Sequence, residues 1–314
     1  MRVQKDRSRN DIATELVFWN PGSGRADEID PLREVLPPEH SNWVALSKKR
    51  DLAGEIRQAV SQGCQTVVAA GGDGTVNAIV NALMAIDESN RPALAILPLG
   101  TANDFAGTLA IPDDILQAAE LIRSADPVPV DVVHVGGQGF GRYFANVAAG
   151  GNGVRVSEAL TDEIKARWGA FAYIRGAVEV LPDMTSFRIS ARCDQEEFVD
   201  LDCWAVLVAN GKTNAGRIKV APKASTTDGL IDVIIIRDGD IGDMVQIVAD
   251  NLLGDFLECE RVIFRQVKSL SLHSEPPMRF TIDGEVVNEE PVQFDVVPSA
   301  IRMHVGQQRF LGQT

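Results

Sequence analysis

Long apolar runs are missing from this chain. No stretch approaches the ~18 apolar residues that a membrane-crossing helix needs, and Met1 to Asn20 stays polar and mixed in charge until Leu16, with no apolar stretch of signal-peptide length. Cysteine is scarce. Cys64, Cys193, Cys203 and Cys259 lie far apart and form no CxxC pair, which argues against a zinc site or a disulfide framework and for structural thiols in a reducing compartment. The 4 histidines are equally scattered and no HExxH occurs. Positive charge is also in deficit: 30 Lys and Arg stand against 44 Asp and Glu, and a net charge of −14 disfavours general affinity for nucleic acid. There is no internal repeat and no low-complexity tract.

What remains is the composition of a globular protein with a sizeable core, 45% hydrophobic over 314 residues. At roughly 150 residues per domain the expectation is two domains. Residues 1–13 are expected to form a disordered tail. From Glu15 onward short apolar runs alternate with amphipathic ones, the pattern of β-α units around a parallel sheet. Leu16 to Trp19, Trp43 to Leu46, Thr66 to Ala70 and Leu94 to Leu97 read as strands. Asp51 to Gln62, Val76 to Ile86 and Asp113 to Arg123 read as helices, the last with Pro112 just before it.

Past Pro127-Val128-Pro129 the pattern changes. Val130 to Val135 and Tyr143 to Val147 flank the glycine-rich turn Gly136 to Gly139 of an expected hairpin. Further strands are expected at Phe187 to Ala191, Trp204 to Val208, Ile231 to Ile236, Val267 to Leu272, Arg279 to Ile282 and Val292 to Val297. Two helices are expected, at Thr161 to Val180 and Ile241 to Leu253. The expected organisation is therefore an α/β domain with a parallel sheet over 14–130. A mainly antiparallel β-rich domain follows over 131–314, its last residues packing back on the first.

The sharpest motif is Gly71-Gly72-Asp73-Gly74-Thr75, set between a buried strand and a helix expected to begin near Val76. Glycines let backbone N–H groups approach phosphate oxygens, and the helix start adds its positive dipole end. It is neither the GxxxxGK[ST] of a Walker loop nor the GxGxxG of a dinucleotide site. An anionic Asp73 at a phosphate cradle repels the ligand unless it engages a divalent cation or a proton in transfer. The competing reading is a helix-capping Asp in a tight turn. One β-α unit later Gly100-Thr101-Ala102-Asn103-Asp104-Phe105 follows another strand, and Asn20-Pro21-Gly22-Ser23-Gly24 ends the first. Ligands bind at that carboxyl edge of parallel sheets. Asp283-Gly284, between Phe280-Thr281-Ile282 and Val286-Val287, is also the standard type I′ hairpin signal.

On these motifs, together with Asn77, Asp131, Tyr143-Phe144-Ala145-Asn146, Ala221-Pro222, Asp228-Gly229 and Asp283-Gly284-Glu285, the chain resembles the diacylglycerol kinase catalytic-domain family, which includes bacterial soluble lipid kinases and the sphingosine kinases. The resemblance spans about residues 15 to 305. It implies an ATP- and Mg²⁺-dependent lipid kinase. ATP would be held by Asn20, Pro21, Gly22, Ser23, Gly24, Gly71, Gly72, Asp73, Gly74, Thr75, Asn77, Thr101, Asn103 and Asp104, and more loosely by Ser47. Asp73, Asp104 and Asp131 align with the acids around the catalytic magnesium. Asp283 and Glu285 align with the carboxylates that take the proton from the acceptor hydroxyl. Ser225, Asp228 and the backbone of Leu230 align with a second, structural Mg²⁺ site, which two neutral ligands would make weak. Where the family commonly has Glu after Asn77, Ala78 stands here, so altered nucleotide contacts are expected.

The implied partner is a membrane lipid met from the cytoplasm by transient contact with the surface. Lys212, Arg217, Lys219 and Lys223 fall between Asp202 and Asp228 with no acid among them. That loop either faces ATP phosphates or anionic head groups, or is simply solvated. The helix Thr161 to Val180, with Ile164, Trp168, Phe171, Ile174 and Val178 on one side, either packs on the core or walls an acyl-chain pocket. An NAD kinase, which also uses a Gly-Gly-Asp-Gly turn, is the rival reading, and a nucleotide-binding regulator without catalysis is a second. Nothing in the sequence selects the lipid, the nucleotide or the oligomeric state.

Overall fold

A computed structural model describes residues 14–47, 49–137, 140–152, 184–214, 216, 218–240, 242, 243, 246, 247, 250, 256–287 and 291–306. The expected tail and the helix Thr161 to Val180 lie outside the described residues, and Ile241 to Leu253 lies mostly outside them. The chain divides into two compact units: one ends at Val130 and resumes at Ala300, and the other runs from Asp131 to Ser299.

In the first unit β1 (Glu15–Trp19), β2 (Ser41–Ala45), β3 (Thr66–Gly71) and β4 (Ala93–Pro98) form a parallel sheet in the order β2-β1-β3-β4. All of β4, and β3 after Thr66, is buried, the continuous apolar run of strands covered on both faces. The helices are α1 (Ile29–Val35), α2 (Leu52–Ser61), α3 (Asp73–Met84), the short α4 (Asp104–Thr108) and α5 (Ile115–Ser124). The Asp51 side chain caps α2 through the Gly54 N–H, and Asp114 caps α5 through those of Leu116 and Gln117. α1 and α4 were not expected; at seven and five residues they are too short to show a 3.6-residue period.

The helix expected from Val76 begins instead at Asp73. Gly72, in extended backbone, accepts from the N–H groups of Thr75 and Val76, so Asp73-Gly74-Thr75 itself makes the first helical turn. That change puts Asp73 at the positive end of the helix rather than in a loop before it.

The second unit is antiparallel and contains β5 (Val128–Gly137), which begins three residues earlier, β6 (Phe140–Phe144), β7 (Val147–Gly151), β8 (Phe187–Cys193) and β9 (Glu196–Ala209). β10 (Thr213–Asn214) and β11 (Ile218–Lys219) form a small hairpin of their own. Next come β12 (Ile231–Arg237), β13 (Val262–Val267), β14 (Ser269–Glu275), β15 (Phe280–Ile282) and β16 (Glu285–Val287), then β17 (Pro291–Met303), whose end returns to the first unit. The sheet order is β16-β15-β7-β9-β8-β14-β17, with β12 and β13 added at β9. Phe144, Phe280 and Phe294 centre its core, with ring centroids 5.4 and 6.4 Å apart. Burial pushes the Cys193 thiol up to about 11 and Cys203 up to about 12, so both behave as core hydrophobes.

Three strand expectations change. Only Trp204 to Val208 was expected of β9, because its first half carries exposed Glu196, Glu197 and Asp200. The expected Val267 to Leu272 straddles a break between β13 and β14, which Asp194 holds by accepting the N–H groups of Lys268 and Ser269. Tyr143 to Val147 also splits, its last residue opening β7.

The end of β17 is fastened to the first unit, where Met303 pairs with Leu94 and the His304 N–H bonds the Leu94 carbonyl. The His304 Nδ1–H donates to the Ala125 carbonyl at 2.9 Å. Burial holds this imidazole below its ordinary value; Arg302 acts in the same direction, and the Ala125 bond, Asp126 and Glu15 act against it. The unfolded chain therefore binds the extra proton first as pH falls below about 6.5. The contribution of His304 is complete above that pH and lost below it. In urea titrations at pH 7.5 and pH 5.5, wild type is expected to lose more stability on acidification than His304→Gln; equal losses would remove His304 as the cause.

Candidate active site

The carboxyl ends of β1, β3 and β4, three adjacent strands of the first unit, carry the three glycine motifs, and the structure joins them. The N–H of Asn20 bonds the Ala70 carbonyl, Leu99 N–H bonds Gly71, and Arg25 N–H bonds Leu99. Asn20 Nδ2 lies 3.4 Å from Thr75 Oγ1. Arg25 also ties this edge through the Pro98 and Asp113 carbonyls while pairing with Glu28.

The glycines have distinct duties. A Cβ on Gly100 would lie 2.4 Å from the Gly72 Cα and 2.8 Å from Asn103 Oδ1, so the two loops meet backbone to backbone. A Cβ on Gly71 would meet Thr75 at 2.3 Å, whereas one on Gly74 would meet nothing within 4 Å. Gly71, Gly72 and Gly100 thus allow close packing, and Gly74 keeps space clear at the start of α3. A Cβ on Gly24 would meet Thr101 Oγ1 at 3.4 Å, an ordinary contact.

Asn103, expected to touch nucleotide, is buried and braces its own loop. In the left-handed region at φ 52°, its Oδ1 accepts from Gly100 N–H at 2.9 Å and its Nδ2 donates to the Gly100 carbonyl at 2.7 Å. Asp73 Oδ1 accepts from Phe105 N–H at 3.0 Å, which locks the two loops and ties Asp73 to the one that carries the buried Asp104. Asn77 is buried and bonded by Asn81 within α3, while Ala78 is exposed. Pro21, Gly22 and Thr101 are exposed, as is Ser47 just beyond β2. The Ser23 Oγ is buried without a hydrogen-bond partner. An unsatisfied hydroxyl at a glycine-lined cradle fits a phosphate oxygen, which supplies the acceptor it lacks.

In the second unit Asp283 and Gly284 form the two-residue turn between β15 and β16 with φ of 45° and 84°, the type I′ geometry expected. The Asp283 carboxylate is buried and accepts three backbone N–H bonds, from Ala145, Asn146 and Val147 at 3.0 to 3.1 Å. Glu285 is exposed beside it, and its Oε2 lies 2.9 Å from Arg142 Nη2. Of the two expected proton acceptors, one holds the hairpin and the other faces outward.

Asp131 is occupied at every polar atom. Its Oδ2 accepts from Gly229 N–H at 2.7 Å and its Oδ1 from Ser299 N–H at 2.6 Å; its N–H donates to Thr226, and its carbonyl accepts from Asn210 Nδ2. Asp228 Oδ1 accepts from Leu230 N–H, and Ser225 Oγ lies 3.4 Å from Thr227 Oγ1. Partial burial, reinforced by the Asp131 anion, pushes Asp228 above its ordinary value against the Leu230 bond. Burial likewise pushes Asp232 up to about 6, its Oδ2 having no partner. Among the described residues no three His, Cys, Asp or Glu side chains gather into a metal-holding group. Asp131→Asn sets an amide donor against a backbone donor and is expected to cost about 2–4 kcal/mol, read as a lower urea midpoint; an unchanged midpoint would contradict the hub role. Of the basic loop, Lys219 and Lys223 are exposed, Lys223 lies 5.3 Å over the Phe264 ring, Lys212 is half-buried, and Arg217 lies outside the described residues.

Sequence reasoning missed Arg142, Asn146 and Asn210 as site-supporting residues. Asn146 stood within a quoted motif without a role, and nothing local marks Arg142 or Asn210, whose partners are far along the chain.

Comparison with known proteins agrees with this geometry. A family model described as the diacylglycerol kinase catalytic domain matches residues 14–135, and one described as the YegS C-terminal NAD kinase beta sandwich-like domain matches 145–305. The diacylglycerol kinase of Staphylococcus saprophyticus is 32% identical over 285 residues, covering 88% of this chain and 90% of that protein. That of Bacillus subtilis is 29% identical over 284 residues, covering 88% and 91%. In fold, a diacylglycerol kinase crystal structure from Bacillus anthracis matches with a TM-score of 0.74 at 24% identity, covering 95% of this chain and 99% of that one. An NAD kinase from Archaeoglobus fulgidus in complex with ATP matches at 0.54 and 12%, covering 95% of each. With both halves matched in order and curated relatives aligned almost end to end, the chain belongs to the diacylglycerol kinase family and is an enzyme of the lipid-kinase class.

Proposed function

We propose that the protein transfers the γ-phosphoryl group of MgATP to the hydroxyl of a membrane lipid, diacylglycerol-like or sphingoid-like. The observation that carries this reading is the loop cluster at the strand ends of the first unit, which offers a buried, unpartnered Ser23 Oγ and, at the positive end of α3, clear space at Gly74. Asn20 to Gly24, Gly71 to Thr75 and Thr101 hold the phosphates, Asn103 shapes the loop around them, and Ser47 contacts the nucleoside. Asn77 acts from inside α3.

Magnesium is commonly held by one or two carboxylates together with substrate phosphates. Asp73 and Asp104 fit that donor set without a protein-only cage. The metal would neutralise charge on the transferring phosphoryl group. Asp131, aligned with the same acids, fixes backbone of the second unit at Gly229 and Ser299. The Ser225, Asp228 and Leu230 loop is the second metal candidate, with one carboxylate, one hydroxyl and one backbone carbonyl to offer.

A primary alcohol is a poor nucleophile, and a carboxylate within reach of its proton assists the attack. Glu285 is the group available for that task, because Asp283 commits both oxygens to backbone amides. No described helix is long and apolar enough to cross a membrane. In this reading the lipid is met by transient contact at the cytoplasmic surface.

Incubation with labelled ATP, Mg²⁺ and a total lipid extract, beside a parallel reaction offering NAD, tests the reading. Label is expected in a lipid product and identifies the acceptor. Label on NAD alone would favour the related NAD kinases, and ATP binding without transfer would favour a regulator.

A further inference from the structure

The segment Arg142 to Val147 grips the hairpin of Asp283 to Glu285 at two points. The N–H groups of Ala145, Asn146 and Val147 take up the Asp283 carboxylate. Three residues before Ala145, the Arg142 guanidinium takes Glu285 Oε2 at 2.9 Å. No strand ladder makes the second contact, since β15 pairs with β7 and β16, whereas β6 pairs with β5. Arg142 is anchored at the middle of β6, opposite Val135, with a side chain only 25% exposed, while the Glu285 side chain is 57% exposed. An exposed glutamate beside a two-residue turn otherwise samples several rotamers.

We propose that Arg142 is the positioning residue for Glu285, and that the run Arg142 to Asn146 serves as the mount of the proton acceptor. This rests on the reading of Glu285 given above. Exposed ion pairs add little to stability, so the value of this one lies in orientation. A general base must come within hydrogen-bond reach of its proton, and a misplacement of about 1 Å costs on the order of 100-fold in rate. The planar guanidinium sets the direction of the carboxylate, which a lysine ammonium does less well.

The test uses the full chain with MgATP and a dispersed total lipid extract, comparing wild type, Arg142→Ala, Arg142→Lys, Glu285→Gln and the Arg142→Ala/Glu285→Gln double variant. Arg142→Ala is expected to lower kcat about 10- to 100-fold. KM for ATP should stay within about twofold, and the melting temperature within about 2 °C. Arg142→Lys should recover part of the loss. Adding Arg142→Ala to Glu285→Gln should cost nothing further, because a positioning residue has no work once its partner is gone. Undiminished kcat in Arg142→Ala while Glu285→Gln is inactive overturns the proposal alone. So does a double variant that loses the product of the two single losses, or a rise in KM for ATP at constant kcat. Wild-type turnover in Glu285→Gln overturns the proton-acceptor reading itself.

Discussion

Gly100→Ala is expected to lose both stability and nucleotide, and Gly74→Ala nucleotide only. The new Cβ at position 100 would sit 2.4 Å from the Gly72 Cα, an overlap with backbone that no side-chain rotation relieves. The two loops must part, which breaks the fit of Asn103 around Gly100 and strains the Asp73 to Phe105 bond. Overpacking of this kind costs about 2–4 kcal/mol, and displaced phosphate donors lower ATP affinity at least about tenfold. At Gly74 the added methyl meets nothing within 4 Å, so the fold tolerates it. It fills the room at the start of α3 where a phosphate would lie. Thermal melts with and without MgATP separate the two: Gly100→Ala melts lower in both, whereas Gly74→Ala melts as wild type alone and gains little from MgATP. Equal MgATP stabilisation of Gly74→Ala and wild type would remove the cradle from that position.

The hairpin of Asp283 to Glu285 separates chemistry from support in the same way. Glu285→Gln should lower kcat by about 10²- to 10⁴-fold, the usual contribution of a general base, with no change in melting temperature, because the side chain is exposed. Asp283→Asn should lower activity and stability together. An amide in place of the buried carboxylate presents one N–H₂ to backbone N–H groups that need an acceptor. The loss is about 2–4 kcal/mol. A stable, inactive Asp283→Asn beside a fully active Glu285→Gln would reverse the assignment.

These contrasts show how far the candidate site was legible in the sequence. The glycine motifs were visible at three strand ends, and Asp283-Gly284 as a turn. Their internal division of labour was not. Gly100 and Gly74 look alike in sequence, and only the Gly72 backbone across from one of them distinguishes packing from clearance. Asn103, from its place after a strand end, and Asp131, from the family resemblance, were expected to act as ligands. The structure spends their hydrogen-bonding capacity on backbone contacts whose partners, such as Ser299 for Asp131, stand 168 residues away.

The sequence by itself determined the apolar core strands β3 and β4, the capped helices α2 and α5, the pairing of β5 with β6, the β15–β16 turn, and the family. Local chemistry suffices for these, because periodicity, capping and glycine placement act within a few residues. Tertiary structure alone decided the break between β13 and β14, the return of β17 to the first unit, and the commitment of the Asp283 carboxylate to backbone amides while Glu285 stays exposed. Each of these depends on a hydrogen bond between segments distant along the chain. Such a bond leaves no period in the sequence, since either partner alone is an ordinary polar residue.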